Sequence, residues 1–238
     1  MTQNKIEKEI QGIIKAYKQL VLGIEKKAKN DIGGRAYGGI IRAGKGKLVE
    51  SIAQNLIEIA WDSLGELPSR ISFAHKVFKF PIKKEYVKKI KNPDVQQYIF
   101  DNIDSYYYGF KPDVQACVDN KFVIGIECKS YTENAMFKRI LVDFTLLKLD
   151  YSNLDCILLQ LESQLGGDYS KLTFPTFGSS STHTLLSYFD IDLHIITLLE
   201  GERKVDCPIH KKEFYKPITK ENLYKAIQTL KELLEEYK

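Results

Sequence analysis

Two short strings carry residues able to do chemistry at a useful spacing. Lys111-Pro112-Asp113 is followed by Ile126-Glu127-Cys128-Lys129, with thirteen residues between Asp113 and Glu127. Side chains alternate along a strand, so Glu127 and Lys129 share one face and Cys128 takes the opposite, buried one. The apolar run Phe122–Ile126 leads straight into Glu127. A charged pair therefore emerges where a buried strand ends, a usual place for a site in a sheet-based fold. Two carboxylates a few ångströms apart repel unless a cation sits between them. Hard oxygen ligands favour Mg²⁺, which keeps several waters and reaches substrate phosphate. A lysine beside them can position or help deprotonate a water and offset charge on the phosphate. That is equipment for hydrolysing a phosphodiester.

Whether both carboxylates can share one metal depends on strand register. Val114–Val118 and Phe122–Glu127 are short apolar runs separated by the turn residues Asp119-Asn120. A plain two-residue turn pairs Val118 with Lys121 and sets Asp113 opposite Ile126, facing away from Glu127. An offset of one more residue sets Asp113 opposite Glu127. The paired-ligand reading therefore predicts an odd loop or a bulge in this hairpin.

Other elements must hold that hairpin. Ile6, Ile10, Ile13, Tyr17, Leu20 and Ile24 recur at helical steps and predict a helix over 4–28. Residues 30–46 hold six glycines and predict a mobile loop. A second helix follows over 47–61, with Leu48, Ile52, Leu56 and Ile59 on one face and Glu50, Gln54 and Trp61 on the other. A strand is expected around 71–80, and mixed or helical structure over 83–108, broken at Pro93. After the hairpin come a helix at about 133–149, strands at Cys156–Leu161 and Leu193–Leu198 around a polar loop Leu165–Thr184, and a last helix at about 219–237. Strands interleaved with helices indicate an α/β (α+β) fold, a central mixed β-sheet flanked by helices. At 238 residues one domain, 1–238, is expected, with its core over about 47–200 and terminal helices for recognition or pairing.

Composition excludes several classes. Hydrophobic content of 44% and charged content of 28% exclude a disordered or collagen-like chain. No apolar run is long enough to span a membrane, and MTQNKIEKEI lacks a signal-peptide core. Four cysteines without a CxxC pair fit a reducing cytoplasm. The net charge of +4 hides a gradient, since residues 1–91 carry +10 and residues 92–238 carry −6. Arg70–Lys91 is the densest basic stretch, with eight basic residues and one acid. A one-sided positive field suggests an anionic partner.

Pro112-Asp113…Glu127-Cys128-Lys129 resembles the PD-(D/E)xK nuclease superfamily and, within it, the type II restriction endonucleases. The motif spans about 18 residues, and the surrounding order of elements extends the likeness over roughly 100. The resemblance implies that Asp113 and Glu127 bind Mg²⁺ and that Lys129 serves the attacking water. It implies a further helix glutamate, for which Glu50 is the natural candidate and Glu58 a rival. It also implies cleavage of double-stranded DNA at a specific site, 5′-phosphate ends and a homodimer matched to a palindromic site. A repair or Holliday-junction-resolving nuclease and a non-catalytic DNA-binding protein are the alternatives.

For DNA contacts the sequence offers Arg35, Arg42, Lys45 and Lys47 of the glycine-rich segment, Lys138 and Arg139 of the helix after Lys129, and Ser181 in the Gly178–His183 loop. The segment Gly39–Lys45 imitates a phosphate-binding loop, but Gly46 stands where Ser or Thr would hold Mg²⁺, so no nucleotide cofactor is expected. Cys207 and His210 are too few for a structural zinc site. Tyr106-Tyr107-Tyr108 is expected in the core.

Overall fold

The chain is described from a computed structural model, over residues 3–29, 34–171 and 179–238, with the backbone alone given for residues 3, 25–29, 34–38, 40 and 42. Helix α1 (Gln3–Lys29) buries the stripe Ile10, Ile13, Tyr17, Val21 and Ile24. Helix α2 (Gly34–Ser63) begins inside the glycine-rich segment, which corrects the expected loop from residue 34 onward; residues 30–33 and the side chains of Arg35 and Arg42 lie outside the description. Glycine in a helix costs roughly 1 kcal/mol against alanine, and packing offsets that here. A Cβ on Gly44 would run into Ile24 Cδ1, so the bare backbone lets α1 and α2 close on each other. Trp61 also departs from expectation: it is buried and its Nε1 donates to the Leu67 carbonyl at 2.9 Å. Val49, Ala53, Ile57 and Ala60 are buried as well, because α2 packs against α1, the sheet and the C-terminal helix rather than against one neighbour.

The chain falls into two compact units, one of Met1–Ala74 with Asp113–Lys238 and the other of His75–Pro112. In the first unit, strand β1 (Ile71–Ala74) precedes the excursion into the second. The second unit contains β2 (Phe78–Pro81), α3 (Lys84–Val87), α4 (Pro93–Asp101) and β3 (Tyr107–Phe110), with β2 and β3 forming a two-stranded antiparallel ribbon. The expected strand over 71–80 is thus two strands in two sheets. Pro93 starts α4, where its missing N–H costs nothing and the Asn92 side chain accepts from Asp94 and Val95 N–H. Tyr107 and Tyr108 are exposed, not core.

The first unit continues with β4 (Val114–Val118), β5 (Lys121–Glu133), α5 (Asn134–Asp150), β6 (Asp155–Gln164), α6 (Ser180–Leu186), β7 (Leu193–Thr197) and α7 (Lys220–Leu234). The sheet order is β1-β4-β5-β6-β7. β1, β4 and β5 pair antiparallel, while β5, β6 and β7 run parallel, so the sheet is mixed as expected. Ile124, Ile126 and Cys128 of β5 join the core built with α1, α2 and α7. The opposite face of β5 meets α5: a Cβ on Gly125 would touch Phe144 and Phe122 at 3.3 Å. Helix α6 replaces the end of the expected polar loop, with the Ser179 hydroxyl accepting from Thr182 N–H; Gly178 falls outside the described residues. No helix among the described residues is long and apolar enough to cross a membrane.

Candidate active site

The hairpin β4–β5 turns through Asp119 and Asn120, both at positive φ (48° and 65°). That is the geometry of a two-residue turn whose twist suits the flanking strands. Val118 pairs with Lys121 and Cys117 with Phe122, as in the plain register. The register then shifts: Ala116 pairs with Ile124 and Val114 with Ile126, leaving Val123 as the extra residue of a bulge. One step further along the ladder, Asp113 lies opposite Glu127. The offset arises from the bulge and not from the loop.

The consequence is a compact charged cluster. Lys129 Nζ lies 2.9 Å from Asp113 Oδ2 and 2.5 Å from Glu127 Oε2. Asp113 Oδ2 also accepts the Cys128 backbone N–H at 2.7 Å, which fixes the carboxylate beside the strand. Lys129 donates further to the Cys128 carbonyl at 3.3 Å. Glu127 is 7% exposed. Burial, reinforced by the charge of Asp113 and of Asp143 and opposed by Lys129, pushes its carboxyl up to about 7. Burial would lower Lys129, but Glu127 and then Asp113 outweigh it, so its ammonium is held above the ordinary lysine range.

Asp143 was not singled out by the sequence analysis. It is buried on α5 and takes a 3.5 Å ion pair from Arg139 Nε. Its signal was a charge set among Ile140, Phe144 and Leu147, on the face that a helix buries. Gln160 is the second missed residue. It is the register partner of Lys129 on β6, fully buried, and its Nε2 donates to Thr197 Oγ1 at 3.0 Å.

The other nominated residues are spread more widely. Glu50 is half-buried on α2, whose side of the sheet covers Cys128, and its charge helps burial push the Cys128 thiol up. Among the described residues no set of three or more Asp, Glu, His and Cys side chains forms a metal-holding cluster, so Glu50 does not complete one with Asp113 and Glu127. Glu58 lies two turns further along α2 beside Glu9 and Asp62, in a separate cleft with Trp61 and Pro68. Lys45 does not face solvent from a loop. It is buried on α2 with Nζ 3.4 Å from His210 Nδ1, and burial lowers it while Glu162 pulls it back up. Lys47 is exposed on α2. Lys138 and Ser181 come together with Asn134, Thr184 and Tyr188 in a cleft of about 450 Å³ between the first turns of α5 and α6. Arg139 stays exposed but is tethered to Asp143.

The donor set fits a hard divalent cation. Two carboxylates sit close enough to share one positive charge, and the buried one has a raised affinity for a proton, which a bound cation would displace. No described Cys or His joins them to suggest a softer metal.

This mixed sheet with its bulged hairpin and its Asp-Glu-Lys cluster defines a class, and the chain belongs to the type II restriction enzymes. It is 49% identical over 234 residues to the type II restriction enzyme DdeI of Desulfomicrobium norvegicum (strain DSM 1741 / NCIMB 8310), an alignment covering 97% of this chain and 98% of that one. No family model matches. Among solved structures, a chain of the native BbvCI A2B2 tetramer aligns over 98% of this chain and 87% of its own at 9% identity. Its TM-score of 0.31 is too low to carry any argument.

Proposed function

We propose that this protein cleaves duplex DNA at a specific site by hydrolysing phosphodiester bonds, with Asp113, Glu127 and Lys129 as its catalytic residues. The observation that carries the reading is Lys129 Nζ held at hydrogen-bond distance from both carboxylates by a bulge that sets Asp113 opposite Glu127. Asp113 and Glu127 would hold a divalent cation, Mg²⁺ by the hardness of the ligands, and Glu50 adds negative potential from the α2 side. That cation supplies Lewis-acid polarisation of the scissile phosphate when bound. Lys129 remains an ammonium at neutral pH, so it acts as a donor. It orients the attacking water against the phosphate and meets charge building on the phosphoryl oxygens. Gly125, backed by Phe144, keeps the strand under Glu127 straight and dry. The Lys138 and Ser181 cleft, together with Lys47, supplies DNA contacts.

The products carry 5′-phosphate and 3′-hydroxyl ends, and the protein acts as a homodimer, because a two-fold protein matches a palindromic site. A cytoplasmic location is supported by Cys117, Cys128, Cys156 and Cys207, all free thiols. The test is digestion of a sequenced plasmid with Mg²⁺. Discrete fragments with ligatable 5′-phosphates are expected, and a smear or intact plasmid refutes the reading. Asp113→Ala and Lys129→Ala should each abolish cutting while duplex binding in Ca²⁺ persists. Normal cutting by either variant refutes the site.

A further inference from the structure

The second compact unit, His75–Pro112, holds eight lysines and four acids. Its charge of +4 equals that of the whole chain, since the other two hundred residues carry 27 charges of each sign. An excess of that size in 38 residues marks a surface with a purpose. All eight lysines are exposed. Among the described residues Lys83, Lys84, Lys88, Lys89 and Lys91 form no ion pair with an acid, so their charge is not spent within the fold.

The rest of the unit points the same way. In the β2–β3 ribbon, Phe78, Phe80 and Phe110 are buried, while Lys79 and Tyr107 stand on the outer face. Lys79 Nζ lies 4.2 Å from the centre of the Tyr107 ring, so the aromatic ring holds the ammonium in place without neutralising it. Tyr86 and Tyr98 are exposed at 60% and 63%. The unit has no arginine. Arginine is the side chain that reads guanine edges in a bidentate fork, whereas lysine serves as a point charge toward phosphate.

We infer that His75–Pro112 is a DNA-backbone clamp: a small module whose lysines bind the phosphates of duplex DNA without reading sequence. It rests on the nuclease reading above and extends it, because it assigns affinity to this unit and leaves chemistry to the hairpin. The chain runs directly from Pro112 into Asp113, so duplex held by the unit is tethered to the catalytic strand.

The experiment uses the full chain with Lys83→Gln, Lys84→Gln, Lys88→Gln and Lys89→Gln combined, and the same four positions changed to Arg. Binding of a fluorescent duplex of arbitrary sequence is titrated from 50 to 300 mM salt in Ca²⁺, and cutting is followed in Mg²⁺. Each lost phosphate contact lowers the slope of log K against log salt by about 0.9. The Gln variant should therefore lose two to four units of slope and raise KM, with kcat at saturating DNA and the melting temperature unchanged. The Arg variant should keep the slope. An unchanged slope in the Gln variant, or a loss shared by the Arg variant, overturns the clamp. Should the combined variant melt early, the Lys83/Lys84 and Lys88/Lys89 pairs are tested separately, and unchanged slopes in both overturn it equally. Wild-type protein that neither binds nor cuts duplex defeats the nuclease reading itself; wild-type activity matched by the variants defeats only the clamp.

Discussion

The Glu127 carboxyl makes the metal chemistry testable without DNA. It titrates near pH 7 because burial, with the added charge of Asp113 and Asp143, outweighs the help of Lys129. At pH 6 about nine in ten Glu127 carboxyls are protonated, and at pH 8 about one in ten. Binding a divalent cation to that oxygen then releases about 0.9 proton at pH 6 and about 0.1 at pH 8. Affinity for Mg²⁺ should weaken about tenfold per pH unit below 7 and level off above it. Lys129, held above the ordinary lysine range, stays charged throughout and contributes no proton. Calorimetric titration of Mg²⁺ in two buffers of different protonation heat measures the released protons directly. Glu127→Gln should flatten the profile and bind more weakly at pH 8. Affinity that is constant from pH 5.5 to 8, or the same slope in Glu127→Gln, refutes both the raised carboxyl and its role as a ligand.

The same carboxyl sets the stability of the metal-free protein. Its folded value lies above the unfolded one, so the folded state holds the extra proton between about 4.5 and 7. Stability should fall as pH rises through that window, by up to about 3 kcal/mol; thermal melts from pH 5 to 7.5 with EDTA check the sign, and a rise would contradict it. Gly125→Ala should destabilise by about 1–2 kcal/mol, because Phe122 and Phe144 must yield to a methyl group 3.3 Å away; urea unfolding that shows a gain would mean the rings move freely. Asn120→Gly should be neutral or stabilising at its φ of 65°, while Asn120→Val should cost roughly 1–2 kcal/mol. Equal urea midpoints for the two would show that the turn is not held in the left-handed region.

Much of the sheet was legible because its strands are apolar runs in order: Val114–Val118, Phe122–Glu127, Cys156–Leu161 and Leu193–Leu198 all fall in or on observed strands. Periodicity failed where burial is not one-sided. Helix α2 carries glycines that signal a loop and a tryptophan on its expected polar side, yet it runs from Gly34 because neighbours cover most of its surface. The second unit was hidden for a different reason. Its ribbon strands, Phe78–Pro81 and Tyr107–Phe110, are separated by two helices, and no local pattern announces that they pair only with each other. Of the nominated polar residues, Asp113, Glu127 and Lys129 come together because hairpin neighbours are fixed by local register. Glu50 and Lys45 depended on where a helix rolls, which spacing alone does not determine.

The hairpin separates two tasks that the sequence had seemed to combine. An odd offset was required to set Asp113 opposite Glu127, and a three-residue loop was one way to obtain it. The chain instead makes the turn from two residues able to adopt positive φ, and places the extra residue at Val123, where the side chain is buried in the core. A turn is solvent-exposed and tolerant, whereas a buried bulge is held by packing on all sides. Storing the offset in the core makes the approach of Asp113 to Glu127 insensitive to changes at the tip. It also explains why two like charges are held together at all: the bulge fixes the backbone, the Cys128 N–H fixes Asp113, and Lys129 offsets the repulsion that remains.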